Sequence, residues 1–296
     1  MTAIPHWRVA GSDDAAQSDA VPDWSSVWWD GEGLHISANH ELDRSLYRLQ
    51  FDRGATFDVH PADRLIIASA NRNDIAPLTI DHLLSDQVEP RILAHEGELI
   101  IHASAIRLNG ASILFVGTSG VGKSTLAASF DEPGTGLLCD DAVIVECADE
   151  QATARALYPS LRLHPDSLDA LFPDRDPSLS TAHFGEKRRL TIAEPPNDHG
   201  DPLPIAAIFA LGATPAAEGI QIKPLSPAEV CMALVANSFS LNPADLGLAG
   251  EKLSKAGLIA ERVPAFALDY PRDYGVLPAV RAAVLESVRT LSESDR

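Results

Sequence analysis

Residues 117–124 read GTSGVGKS, a G-x-x-x-x-G-K-[ST] run in which each fixed position has a chemical task. Gly117 and Gly122 let the backbone wrap around an anion, and Thr118, Ser119, Gly120 and Val121 fill the loop with inward-pointing N–H groups. Lys123 reaches toward the β- and γ-phosphates, Ser124 offers a hydroxyl to Mg²⁺, and Thr125 follows on the first turn of the next helix. The pattern is that of a site for ATP or another nucleoside triphosphate with Mg²⁺. The alternative is a Gly/Ser turn between two core elements, and the flanking sequence argues against it. "SILFV" before the loop is a short run of strand formers, and "KSTLAASF" after it has no helix breaker, so strand, loop and helix come in order.

A second chemical segment, "GLLCDDAVIV" (136–145), is an apolar strand ending in Asp140 and Asp141. In nucleotide-binding folds an acidic residue at such a strand end helps hold the metal, directly or through water. Successive strand residues point to opposite sides, so one carboxylate can face Ser124 and Mg²⁺ while the other faces an acceptor hydroxyl. The alternative is a solvated turn.

These residues need a scaffold, and 296 residues with 45% hydrophobic content can bury a large core. Net charge is −19, and no basic cluster exceeds Lys187, Arg188 and Arg189, which argues against a nucleic-acid partner. Cys139, Cys147 and Cys231 form no C-x-x-C pair, fitting a reducing cytoplasm. No run of about 18 apolar residues suggests a membrane span. Residues 1–23 read as a loosely ordered arm. Over 24–70, "SVWWD", "GLHIS", "LYRLQF", "ATFDV" and "RLIIAS" alternate with turn residues, as in a small antiparallel sheet packed with Trp24, Trp28 and Trp29. Residues 79–95 read as a helix capped by Thr79 and disturbed at Pro90. Strands follow in "ELIIHASAIRL" and at 203–211. A Ser226/Glu229 capping box opens a helix toward Phe239, and 277–291 is amphipathic.

The stretch "LIIHASAIRLNGASILFVGTSGVGKSTLAASF" followed by "GLLCDDAVIV" is similar to the catalytic domain of the HPr kinase/phosphorylase family. That family carries a His ahead of its phosphate loop and an Asp-Asp pair after the loop helix, matched in order here by His102, residues 117–124, Asp140 and Asp141. "YPSLRLHPDSL" and "VPAFALDYPRD" resemble segments of HPr-kinase-like proteins of biosynthetic gene clusters, which include kinases of lasso-peptide precursors. The resemblance implies transfer of a phosphoryl group from ATP to a serine hydroxyl of a peptide or protein. It places His102 in the active site, Asp140 as base and Asp141 on the metal side, an order that can be reversed. Two departures stand out. Thr125 occupies the place of a Glu in the bifunctional enzymes, and their later E-x-R-G-x-G signature is missing. Arg162 is the plausible positive charge nearby, and a kinase is expected rather than a phosphorylase.

The expected architecture is α/β or α+β: a small β-rich domain over 24–78, then a phosphate-loop domain of the HPr kinase C-terminal type over 79–296. The polar stretch 172–204 is either a flap, with Lys187 or Arg188 neutralising phosphate charge, or a plain surface loop. Homo-oligomer formation stays open. Rival functions are a regulatory module that binds nucleotide without transfer, and a kinase of a small hydroxylated metabolite.

Overall fold

The structure, a computed structural model, describes residues 4–11, 23–31, 33–39, 45–130, 133–149, 151–158, 161–174, 180–182, 187–190, 201–216 and 218–294. The fold is mixed α/β, and the chain divides into two compact units. One holds Met1–Gly97 with Ser240–Glu251, the other Glu98–Phe239 with Lys252–Arg296.

The first unit carries a six-stranded sheet: β1 (Arg8–Gly11), β2 (Ser25–Trp29), β3 (Leu34–Asn39), β4 (Leu46–Phe51), β5 (Ala55–His60) and β6 (Leu65–Ala70), in the order β1-β6-β5-β4-β3-β2. β2 to β6 form the expected antiparallel meander. Alternation buries one face, with Leu34, Ile36, Leu49, Phe57, Val59 and Ile66 at its centre. On the other face Arg48 pairs across the strands with Asp58 and lies 4.5 Å over the Trp24 ring. Trp24 thus packs as expected. Trp28 and Trp29 do not: they are 36% and 59% exposed, and Trp29 stacks on His35. Arg8–Gly11, inside the segment expected as an arm, is a strand parallel to β6. Four residues with one small apolar pair carry too little periodicity to announce themselves, and the open edge of β6 supplies the hydrogen bonds that order them. Residues 1–3 and 12–22 of that arm lie outside the described residues.

The helix expected over 79–95 is present with a different entry and a different device at the proline. It starts at α1 (Pro77–Leu83) with Pro77 in the first turn and Ala76 as cap, so Thr79 caps nothing. It then widens to a π-turn over Leu84–Val88 before α2 (Glu89–His95). The wider turn absorbs the hydrogen bond that Pro90 cannot donate, so the disturbance expected at Pro90 takes the form of a π-turn and the helix continues through it.

The second unit is a sheet with helices on both faces. Its strands are β7 (Leu99–Ile101), β8 (Ala103–Leu108), β9 (Ala111–Val116), β10 (Thr135–Cys139), β11 (Val143–Ala148), β12 (Gln151–Ala156), β16 (Leu203–Leu211), β17 (Gln221–Pro224) and β18 (Ala265–Asp269). A separate three-stranded sheet joins β13 (Leu161–Leu163), β15 (Arg188–Leu190) and β14 (Ser180–Ala182). The helices are α3 (Lys123–Ala128), α4 (Pro165–Leu171), α5 (Pro227–Ala236), the part of α6 (Leu246–Arg262) from Lys252 onward, and α7 (Leu277–Ser294). Val230 and Leu234 of α5 and Ile259 of α6 pack on one face, beside Leu114, Val116 and Ile208. Leu126 of α3 and Val280 and Val284 of α7 pack on the other, around Phe115 and Phe209. The capping box at Ser226 and Glu229 forms as expected. α6 is not foreshadowed by the sequence: Gly247, Gly250 and Gly257 dilute its helical signal, and packing of its second half restores it. Among the described residues no helix is long and apolar enough to cross a membrane, and the three cysteines are free thiols.

Strand direction positions the site. β8 is antiparallel to both β9 and β10, so β9 and β10 run the same way and end at one edge. Ala103 pairs with Val116 and Ala105 with Cys139, so β8 begins at that same edge.

Candidate active site

Three segments far apart in sequence meet at this edge: the start of β8, the loop after β9, and the turn after β10. The loop leaves β9 at Gly117, whose φ of +145° favours glycine and where a Cβ would stand 2.8 Å from the carbonyl oxygen of Leu211. Gly122 closes the loop in the left-handed region, at φ +95°, and caps α3. Thr118, Ser119 and Gly120 are exposed, while Val121 anchors the loop in the core. Lys123 folds back into the loop and donates from Nζ to the carbonyls of Gly117 (2.8 Å) and Thr118 (3.1 Å). Burial lowers its pKa to about 8, against the opposing pull of Asp141 and Asp140. Ser124 is half-buried on the first turn of α3. Thr125 points its hydroxyl to Ser167 of α4 (3.2 Å), which contacts Tyr274 (3.0 Å), which donates to Asp166 (2.8 Å).

Asp140 and Asp141 are both buried, at 1% and 3% exposure. The expectation that they alternate along a strand is corrected by the structure. β10 ends at Cys139, and the pair lies in a tight turn in which the Ala142 N–H donates to the Asp140 carbonyl (3.0 Å). Asp141 sits at the centre of that turn at φ +72°, a strained backbone for a residue with a Cβ, on the order of 1–3 kcal/mol. The strain sets both carboxylates against Arg162 of β13. Asp140 accepts from the Ser104 hydroxyl (2.5 Å) on one oxygen and from the Arg162 backbone N–H (3.1 Å) on the other. Asp141 accepts from the Arg162 guanidinium and lies 3.2 Å from Nε2 of His102.

The two carboxyls therefore differ in their hold on a proton. For Asp140, burial and the neighbouring Asp141 charge raise the pKa to about 6, and the Ser104 hydrogen bond only partly offsets them. For Asp141, burial opposes the charge as well, but Arg162 and the bonds from His102 and Arg162 outweigh it and hold the group well below the usual carboxylate range. Burial also lowers the His102 pKa. Neutral His102 then donates from Nε2, because an ionised carboxylate only accepts. Equally buried but unequally surrounded by positive charge and donors, the pair divides into a permanent anion and a group poised to take a proton.

His102, Lys123, Asp140, Asp141 and Arg162, all singled out from the sequence, are thus gathered in one place. Ser104, whose hydroxyl donates to Asp140, joins them without a motif of its own. It lies two residues after His102, at the apolar start of β8, and that period of two is the signal that points to it. Ser167 and Tyr274 carry no comparable local signal. Of the polar stretch 172–204, Lys187 adjoins β15 and its charge reaches Asp140 and Lys123. The remainder of that stretch, read as either a flap or a plain surface loop, falls mostly outside the described residues.

The residues fit a nucleotide with a hard cation. A buried, desolvated lysine lies within a glycine-lined loop, two carboxylates stand within its field, and Ser124 lies on the first turn of α3. Mg²⁺ takes one or two carboxylates and completes its shell with phosphate oxygens and water.

No family model matches the chain. A stretch of 55 residues, 19% of the chain, is 42% identical to the HPr kinase/phosphorylase of Chlorobium chlorochromatii, and it spans 16% of that protein's length. Among solved structures, the Hpr(Ser) kinase/phosphatase from Coxiella burnetii aligns over 66% of this chain and 98% of its own, at 13% identity and a TM-score of 0.34. The chain is a distant relative of the HPr kinase/phosphorylase family.

Proposed function

We propose that the protein is an ATP-dependent serine kinase that transfers the γ-phosphoryl group to a Ser hydroxyl of a peptide or protein, with a biosynthetic precursor peptide, such as that of a lasso peptide, as the acceptor class. The observation that carries the reading is the geometry of the buried pair beside the loop: Asp141 held by the Arg162 guanidinium and His102, and Asp140 accepting from the Ser104 hydroxyl and the Arg162 N–H. A module that only held a nucleotide would have no use for a second buried carboxylate kept ready for a proton.

In this reading the amides of residues 117–122 and Lys123 hold the phosphates, and Ser124 with Asp141 holds the metal. Bound Mg-ATP supplies the phosphoryl group, and its metal neutralises charge on the transferring oxygens. Lys123 exchanges its two loop carbonyls for phosphate oxygens. Asp140 accepts the proton of the acceptor serine late in transfer, and Ser104 and the Arg162 N–H keep its carboxylate aimed. Arg162 and His102 hold Asp141 in place. Thr125 supports the kinase direction over the phosphorylase. It stands where the bifunctional enzymes have a Glu, and its hydroxyl is engaged with Ser167.

The test is incubation with Mg²⁺ and γ-labelled ATP, with and without serine peptides, and location of the label by mass spectrometry. Label on serine, with slow turnover in the absence of peptide, is the expected result. Free phosphate released at an undiminished rate without acceptor would overturn the proposal.

Two further results are expected. Lys123→Met should weaken Mg-ATP binding by roughly 10–100-fold, the worth of one or two charge-assisted hydrogen bonds, as read by titration calorimetry. Its thermal midpoint without nucleotide should stay level or rise at pH 7. Burial disfavours the Lys123 charge, that penalty is full below pH 8, and it fades toward pH 10.5. The second is a bell-shaped pH profile of kcat/KM. The acid limb, near pH 6, follows loss of the Asp140 base on protonation, and the alkaline limb, near pH 8, follows loss of the Lys123 cation. A flat profile between pH 5 and pH 9 would remove both assignments.

A further inference from the structure

A second basic residue borders the loop, and the roles above leave it without a task. β9, β16 and β18 lie side by side and run parallel, so the chain leaves all three at one edge. β9 delivers the loop. β16 delivers Leu211, against whose carbonyl Gly117 is seated, and then Gly212. β18 delivers Tyr270 and Arg272. In sheets of this kind ligands bind outside the carboxyl ends of the parallel strands.

Arg272 is fixed at this edge by three contacts. Its guanidinium lies 4.1 Å above the Tyr270 ring. Nη1 donates to the Tyr270 carbonyl and Nη2 to the Gly212 carbonyl, each at 3.1 Å. Tyr270 is itself only 2% exposed, so the platform does not move. The Nε edge runs along the loop: Nε is 3.8 Å and Cδ 3.7 Å from where a Cβ on Gly122 would stand, and the Tyr270 hydroxyl is 3.6 Å from the same point. Gly122 immediately precedes Lys123. A guanidinium has five N–H groups, more than these two bonds and a further one to the Tyr270 hydroxyl use, in a rigid fork matched to phosphate oxygens. A long side chain already held in one conformation also loses little entropy when a ligand arrives.

We propose that Arg272 is a phosphate-binding residue of the nucleotide site, a second cation beside Lys123 that contacts the phosphate chain and is indifferent to the base. The assignment rests on the nucleotide-binding reading above. It makes the site one for di- and triphosphates, with a cation on each side of Gly122.

The experiment titrates ADP, AMP, adenosine and inorganic tripolyphosphate, each with Mg²⁺, into wild type, Arg272→Gln, Arg272→Lys and Lys123→Met. In Arg272→Gln, affinity for ADP and tripolyphosphate is expected to fall about tenfold or more, the scale of a charge-assisted phosphate contact, while AMP and adenosine change less than about twofold. Arg272→Lys should recover part of the loss, because it keeps the charge without the fork. The dependence of ADP affinity on salt should be shallower in Arg272→Gln than in wild type. An equal loss for all four ligands would assign Arg272 a purely structural part and overturn the proposal, as would unchanged ADP and tripolyphosphate binding in Arg272→Gln. If wild type binds neither ADP nor tripolyphosphate, the nucleotide reading itself falls. Binding by wild type that is lost in Lys123→Met but kept in Arg272→Gln overturns the Arg272 assignment alone.

Discussion

Asp140→Asn should lower the rate of phosphoryl transfer by on the order of 10²–10⁴, the usual contribution of a positioned general base, and leave Mg-ATP affinity within about threefold. The change keeps size and shape and removes the proton acceptor. It also removes a buried charge whose stability sign can be stated. The Asp140 pKa is raised to about 6 in the folded chain, so its favourable contribution is full below the ordinary carboxylate value and is lost as pH rises through 6. Asparagine does not titrate. The stability of Asp140→Asn relative to wild type should therefore improve between pH 4 and pH 8, as read from denaturant midpoints. One limit on the gain is that Ser104 and the Arg162 N–H both donate, and only one of them can bond the Asn carbonyl oxygen. Transfer activity within tenfold of wild type would mean that another group takes the proton.

Asp141→Ala should produce the larger structural effect. Asp141 and Arg162 form a buried ion pair, at 4% and 10% side-chain exposure, and removing one partner of such a pair costs about 3–5 kcal/mol. The variant should lose that much stability in urea and all measurable transfer. The pH sign is opposite to that of Asp140. A pKa held well below 3.8 gives a contribution that is full above the ordinary value and vanishes only as pH falls through the depressed one, so the deficit should persist across the neutral and mildly acid range. Replacing both partners, Asp141→Leu with Arg162→Met, should recover much of the stability and none of the activity. This would separate the structural cost of a lone buried charge from the function of the pair. A deficit under 1 kcal/mol in Asp141→Ala would show that the pair is not held as described.

The chemistry of the site was more legible in the sequence than its geometry. The spacing of Gly117, Gly122, Lys123 and Ser124 announces itself because each residue type is tied to one physical task. The meander over β2 to β6 was legible for a similar reason, since alternation and turn residues are both local. What stayed hidden depends on long-range context. β1 exists because the edge of β6 is open, and α6 because its second half has a core to pack on. The convergence of Asp140 and Asp141 on Arg162 needs the positive φ of Asp141, which two aspartates in sequence do not reveal. Arg272 is the clearest case. "YPRD" following a strand says little until β18 is known to lie parallel to β16, with β9 on the far side of β16.

The same strand directions have an opposite end. β8 turns into β9 through Asn109 and Gly110, both with positive φ (48° and 85°), and Leu108 pairs with Ala111 across the turn. That hairpin lies at the edge of the sheet remote from the loop after β9, a full six-residue strand away from Gly117. Its two tip residues are exposed, and a Cβ on Gly110 would meet nothing within 4 Å. Tolerance of change is therefore polarised along the strands. At one end the backbone is committed by Gly117 and the turn at Asp141; at the other the Asn109 N–H donates to the Gly134 carbonyl (3.0 Å) and open space lies beyond Gly110, so an insertion after Gly110 should leave the reacting groups in register.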